Sequence, residues 1–267
     1  MKKTTTLLIT LIISIAGLSA QVLKAHTKTV EGSYNFWTYT PDGYDTCSTP
    51  KPLIVFLHGR SLCGNDLKRV RRYGPLNAIE RGLMLDAVVL APQNPGGAWK
   101  PSKVMKLVEW TTENLNIDTN RIYVIGMSLG GYGTIDFAGS YPHRIAAAMA
   151  LCGGGTLKDF CGLNEMPLWI LHGTADRAVG VKASQRVVDA IHSCGDGSRL
   201  LWSPLKGMNH GQLARVFYLP ETYEWLLSHS LADSNRAVNP NFEITTLRLN
   251  SNIYRSLQKT KRHVHVK

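Results

Sequence analysis

Six short runs along the chain are apolar without alternation: "PLIVFL" (52–57), "AVVLA" (87–91), "IYVIG" (122–126), "IAAAMAL" (145–151), "PLWIL" (167–171) and "RLLWSPL" (199–205). Strands that are apolar on both faces belong in a parallel sheet covered on both sides. Segments with helical character separate them: "DLKRVRRYGPLNAIERG", "KPSKVMKLVEWTTENL", "LGGYGTIDFAGSYP" and "KASQRVVDAIHSC". Strand alternating with helix predicts a single α/β domain, doubly wound, with a mostly parallel sheet flanked by helices. Ahead of these, "SYNFWTYTP" alternates like an early sheet strand and "DGYD" supplies a turn. "LPETYEWLLSHS" reads as a closing helix, with Pro220 near its start and Glu221 in its first turn. Beyond Ala232 the apolar positions become scattered and the chain polar and basic. The expected division is therefore a leader over 1–20, a folded domain over 21–232 and a basic linker or tail over 233–267.

The leader rests on a layout. Lys2 and Lys3 form a basic head, Leu7 to Leu18 an almost unbroken apolar run, and "GLSA" a small-residue close before Gln21. This is how an export signal is built, and the run is too short to span a bilayer comfortably. Export is expected, to the periplasm or the medium, without stable membrane insertion.

Charge changes the picture only after it is located. The chain carries a formal +11. Lys2 and Lys3 belong to the leader, and residues 236–267 hold seven Lys or Arg against Glu243 alone, so residues 21–235 are left near +3. So mild an excess on the body argues against a nucleic-acid partner. Five cysteines (Cys47, Cys63, Cys152, Cys161 and Cys194) are an odd number, so at least one has no partner within the chain. Cys152 and Cys161, which bracket a glycine-rich loop, are the favoured disulfide pair. Small buried thiols are the alternative, and no spacing among the five matches a zinc site.

The candidate chemistry begins at "RIYVIGMSLGGYG" (121–133), where one serine stands between glycines two residues away on either side. A serine hydroxyl is a poor nucleophile without a base in reach and donors for the oxyanion. In Gly126-Met127-Ser128-Leu129-Gly130 a sharp strand-to-helix turn strains the serine, and only tiny neighbours let the flanking chains pass. The hydroxyl then stands exposed at a helix N-terminus, which favours developing negative charge.

With this elbow between a predicted parallel strand and a predicted helix, the sequence resembles the α/β-hydrolase fold. Within it, the likeness is to small esterases related to feruloyl esterases, dienelactone-hydrolase-like proteins and the carboxylesterase/phospholipase group. The resemblance covers roughly residues 33–228. It implies the order serine, acid, histidine: Ser128 as nucleophile, Asp176 of "LHGTADRAVG" as the acid, and His210 of "GMNHGQL" as the base. It implies an oxyanion hole made by the backbone amides of Leu129 and, from "LHGRSLCGND", of Arg60. Arg60 departs from the small or apolar residue expected there, which raises the question of whether its side chain leans into the acyl or leaving-group site. "APQNPGGAW" resembles the family segment that approaches the cleft, so Gln93 and Trp99 are candidates for substrate contact. His58 and His172, each before a glycine at a strand end, read as structural histidines beneath the site.

The activity so implied is hydrolysis of carboxylic esters through an acyl-enzyme, on a small-molecule or glycan-linked ester, with no cofactor and no metal. A peptidase of the prolyl-oligopeptidase type shares the fold and triad but usually carries a propeller, for which the chain has no repeat or spare length. A non-catalytic interaction module on the same fold is the third reading, and no triad member is missing to favour it. The closing "RHVHVK" resembles the first strand of a LysM module, a small peptidoglycan-binding domain, which implies weak cell-wall contact through the basic tail. The rest of such a module has no counterpart in the chain.

Overall fold

The computed structural model describes residues 20–251, 257 and 264–267. The leader expected over 1–20 lies, but for Ala20, outside the described residues. In chain order the elements are β1 (Val22–His26), β2 (Asn35–Thr40), β3 (Lys51–Leu57), α1 (Pro75–Glu80), β4 (Val88–Gln93), α2 (Pro101–Asn114), β5 (Ile117–Met127), α3 (Leu129–Ser140), β6 (Ala147–Leu151), β7 (Leu168–Gly173), α4 (Lys182–Cys194), β8 (Leu200–Leu205), α5 (Pro220–Leu227), α6 (Thr246–Asn250) and β9 (His265–Val266). They form a sheet of nine described strands in the order β8-β7-β6-β5-β3-β4-β2-β1-β9. The strands from β8 to β4 are mutually parallel, whereas β2 joins β4 and β1 joins β2 antiparallel.

Each run read as apolar on both faces forms a parallel strand. β3, β4, β5, β6 and β7 are buried along most or all of their length because apolar layers cover both sides of the sheet. Full burial of such side chains is worth about 2 kcal/mol each, and this is the main force holding the sheet together. Helix α4 shows the complementary pattern. It buries Ala183, Ser184, Val187, Val188 and Ile191, which recur on one face at the helical period, and leaves its charged face in water. The long segment from Asp66 to Gly82 divides into a 3₁₀ turn over Leu67–Arg71 and the short α1, because Gly74 at φ 94° breaks it and Pro75 restarts it.

Strand order reverses around β3: the chain moves from β3 to β4 on one side, then crosses to β5 on the other. In open parallel sheets the crevice at the carboxyl ends of the strands beside such a reversal is where ligands bind. The ends of β3 and β5 carry His58-Gly59-Arg60 and Ser128.

Two expectations are corrected. The disulfide joins Cys161 to Cys194, with Cα atoms 5.2 Å apart, rather than Cys152 to Cys161. Cys152 is buried at the end of β6, while Cys161 opens a 3₁₀ turn packed against the last turn of α4. From Asp233 to Ser251 the chain is not a bare linker or tail. Arg236 donates to the carbonyls of Glu165, Ile145 and Ala146, and the Val238 amide donates to Ser198. Phe242 packs edge-on against Trp169, and Val238, Ile244 and Leu249 are buried in the core cluster. The apolar residues looked scattered because they serve as isolated pegs for a surface laid down by other strands, not as a face of their own. The valine alternation at the end becomes β9, paired with β1.

Candidate active site

Ser128 sits between β5 and α3 at φ 59°, ψ −121°, a left-handed conformation that side chains rarely adopt. The flanking glycines make it feasible. A Cβ on Gly126 would collide with the backbone of Gly130, and one on Gly130 would collide with the carbonyl of Leu57. Strand, turn and helix therefore pass closer than any side chain permits. The Ser128 amide donates to the Leu151 carbonyl at 2.9 Å, tying the turn to β6.

Asp176 follows β7. One carboxylate oxygen accepts from the amides of Ala178 (2.8 Å) and Val179 (2.9 Å), and the other accepts from His210 Nδ1 at 2.6 Å. Burial pushes this carboxyl up, but the hydrogen bonds from Val179, His210 and Ala178 outweigh it and hold Asp176 below its ordinary value. The loops that carry Asp176 and His210 are stitched together. The amides of Thr174 and Ala175 donate to the carbonyls of Leu205 and Met208, and the Gly207 amide donates to Thr174 Oγ1. Asn209 and Gln212 exchange amide-to-side-chain bonds around His210 and fix the start of the following 3₁₀ segment. With Nδ1 engaged by Asp176, the ring offers Nε2 to the cleft.

Behind Asp176 lies a second histidine. His172 is fully buried, with Nε2 2.8 Å from the Val179 carbonyl and 3.4 Å from Asp176, and Nδ1 2.7 Å from Ser184 Oγ. A carbonyl only accepts, so Nε2 carries the proton, and burial lowers the ring's pKa to keep it neutral.

The loop after β3 is held from several directions. Asn94 donates its amide to His58 Nε2 (3.0 Å), which makes Nδ1 the protonated nitrogen, and that N–H donates to the Gly59 carbonyl (2.8 Å). Burial depresses His58 to about 4. The Gly59 amide donates to Tyr73 Oη (2.7 Å), and Arg69 donates to the Ser61 carbonyl (2.9 Å).

These pieces enclose a half-open cleft of about 680 Å³. Ser128, Leu129, Arg60 and His210 all line it, with Gly59, Tyr73 and Tyr132. Gln93 and Trp99 do not, which corrects the expectation of substrate contact. Both are buried; Gln93 donates to the carbonyls of Leu62 and Asp66, and Trp99 donates to the carbonyl of His58. They brace the loop from behind. Tyr73 and Val179 are the residues sequence reasoning missed. The segment of Tyr73 reads as helical throughout; the Gly74-Pro75 pair is the available signal of a break there, and nothing local marks Val179.

Cys152, Asp176 and His210 bring ligand-type atoms within 4.8 Å of one another. Burial pushes the Cys152 thiol far up, and the Asp176 and His210 atoms are committed to each other and to backbone amides, so the set is not a ready metal cradle.

Known proteins bear on this geometry. No family model matches the chain. A solved thermostable esterase superposes with a TM-score of 0.63 at 24% identity, covering 80% of this chain and 64% of that one. The chain has an α/β-hydrolase fold. The feruloyl esterase module from Clostridium thermocellum shares the fold with a TM-score of 0.53 at 14% identity, covering 72% and 83%. In sequence, acetylxylan esterase A of Emericella nidulans is 26% identical over 131 residues, 48% of this chain and 41% of that protein. The chain thus spans less than half the length of the relatives it matches. Among the described residues no helix of the hydrolase fold is long and apolar enough to cross a membrane.

Proposed function

We propose that this hydrolase-fold protein is an exported serine esterase acting on small-molecule or glycan-linked carboxylic esters. The observation that carries the reading is the 2.6 Å bond between His210 and Asp176 on the rim of the cleft that also holds Ser128 in its strained turn. The likeness to acetylxylan esterase A supports the ester class.

The chemistry follows from those positions. Ser128 Oγ attacks the ester carbonyl as its proton passes to His210 Nε2, and Asp176 stabilises the imidazolium. The backbone amides of Leu129 and Arg60 receive the oxyanion, each worth about 3 kcal/mol in the transition state. The carbonyl–alkoxy bond breaks, and His210 returns the proton to the departing alcohol. Water then repeats the sequence against the acyl-serine, releasing the acid and restoring Ser128. All of this uses groups of the chain and one water molecule.

Mature protein should hydrolyse 4-nitrophenyl acetate, be labelled at Ser128 by a fluorophosphonate, and lose both properties in Ser128→Ala. Turnover of a peptide anilide above that of the ester would favour the peptidase reading. Export is tested separately: the N-terminus of protein recovered outside the cytoplasm should be Gln21.

A further inference from the structure

His210 stands between two openings. One is the cleft that holds Ser128; the other is a shallower pocket that shares Ala178, His210 and Gly211 with it and is otherwise walled by Ala175, Arg177, Gly207 and Asn209. Because the imidazole hands its proton to the departing oxygen, the alcohol part of the ester must lie against His210. The second pocket is the open space on that side.

The charges around the two openings have one sign. Arg60 lines the first and Arg177 the second, both exposed; no carboxylate lines either, and Asp176 is buried behind them. Two neighbouring cations are tied down: Arg69 to the Ser61 carbonyl, and Arg215 to the Leu249 carbonyl and Asn250. The guanidinium groups of Arg60 and Arg177 have no hydrogen bond or ion pair among the described residues. Arg177 is not carried on a loose loop either. It lies between Asp176 and Ala178, and the amides of Ala178 and Val179 are the ones that fix the acid. The firmly held backbone keeps this guanidinium within side-chain reach of the opening beside His210, where it can pair with an anion.

Resting on the esterase reading, the geometry points to an ester whose alcohol part carries a carboxylate, bound by Arg177 with Arg60 adding to the attractive field. Two sources share that chemistry: a uronic-acid unit of a glycan, and a small hydroxy acid. The field of two uncompensated cations at a cleft mouth also raises the encounter rate with an anionic substrate, an effect that salt screens.

The experiment measures kcat/KM for three acetyl esters: an acetylated oligogalacturonide, a neutral acetylated xylo-oligosaccharide of the same length, and acetyl lactate. An acidic ester should be preferred about tenfold or more, the range of one charge-assisted contact. The preference should shrink between roughly 20 mM and roughly 500 mM salt. In Arg177→Gln the ratio of acidic to neutral kcat/KM should collapse toward one, and Arg177→Lys should restore part of it. The acidic ester with the larger kcat/KM names the source. Equal rates on acidic and neutral esters, or a preference indifferent to both salt and Arg177→Gln, overturn the carboxylate while leaving the esterase standing. No turnover of any of the three, nor of 4-nitrophenyl acetate, overturns both.

Discussion

His172 and Asp176 face each other across 3.4 Å in the interior, with His210 on the far side of the same carboxylate oxygen. His172 also holds the Val179 carbonyl, and the Val179 amide is one of the two that hold Asp176. The buried ring therefore acts on the acid directly and through its loop. His172→Ala is expected to cost about 1–3 kcal/mol of stability, from the carbonyl left unpaired, and to lower kcat at least tenfold as Asp176 loosens. Denaturation curves beside ester kinetics check this. Wild-type kcat in the alanine variant would show that the loop holds the acid without the histidine.

At Ser128 the backbone conformation and the chemistry make opposite demands. Glycine adopts φ 59° freely, so Ser128→Gly should be more stable than Ser128→Ala by about 1 kcal/mol, with both inactive. Thermal midpoints of the two variants decide it; an alanine variant equal to or above the glycine one would mean that the turn stores no strain.

Acid should weaken the fold well before carboxylates titrate. His26 and His58 are each depressed from 6.5 to about 4, chiefly by burial, and His172 and His229 are also lowered. Below about pH 6.5 the unfolded chain binds protons that the folded one refuses, so stability falls as pH drops from about 6.5 to about 4. For His58 the full change is on the order of 3 kcal/mol. Urea midpoints should decline steadily across that range; a flat profile from pH 6.5 to 5 would contradict neutral burial of these rings.

The strap after Ala232 should be needed for stability. Phe242→Ala removes an aromatic contact with Trp169, and Arg236→Ala leaves three carbonyls without their donor. Each is expected to cost about 2 kcal/mol, and truncation after Ser234 about 3 kcal/mol or more, since Val238, Ile244 and Leu249 leave the core with it. Truncated protein melting with the full chain would restore the view of a solvated tail.

Parallel strands were legible because burial on both faces writes itself as an unbroken apolar run, as in "PLIVFL" and "PLWIL". The glycines around Ser128 were legible because steric exclusion at a sharp turn admits no other residue. What escaped was decided by partners distant in sequence. Gln93 and Trp99 turn away from the cleft because the loop after β3 needs donors for the Leu62, Asp66 and His58 carbonyls. Cys161 pairs across 33 positions with Cys194, a distance no local pattern encodes. Val238, Ile244 and Leu249 are each one apolar residue in polar surroundings, a pattern identical to that of a solvated segment until the surface they fit is known.

That strap has a consequence for how the molecule comes into being. A ribosome delivers the chain from its N-terminal end, so β1 to β8 emerge before the segment that covers Trp169. Throughout that interval a greasy flank stays uncovered, open to chaperones or to a neighbour in the same condition. Docking of the strap is then a sealing step, and crowded, rapid expression is the circumstance in which nascent molecules would adhere to one another.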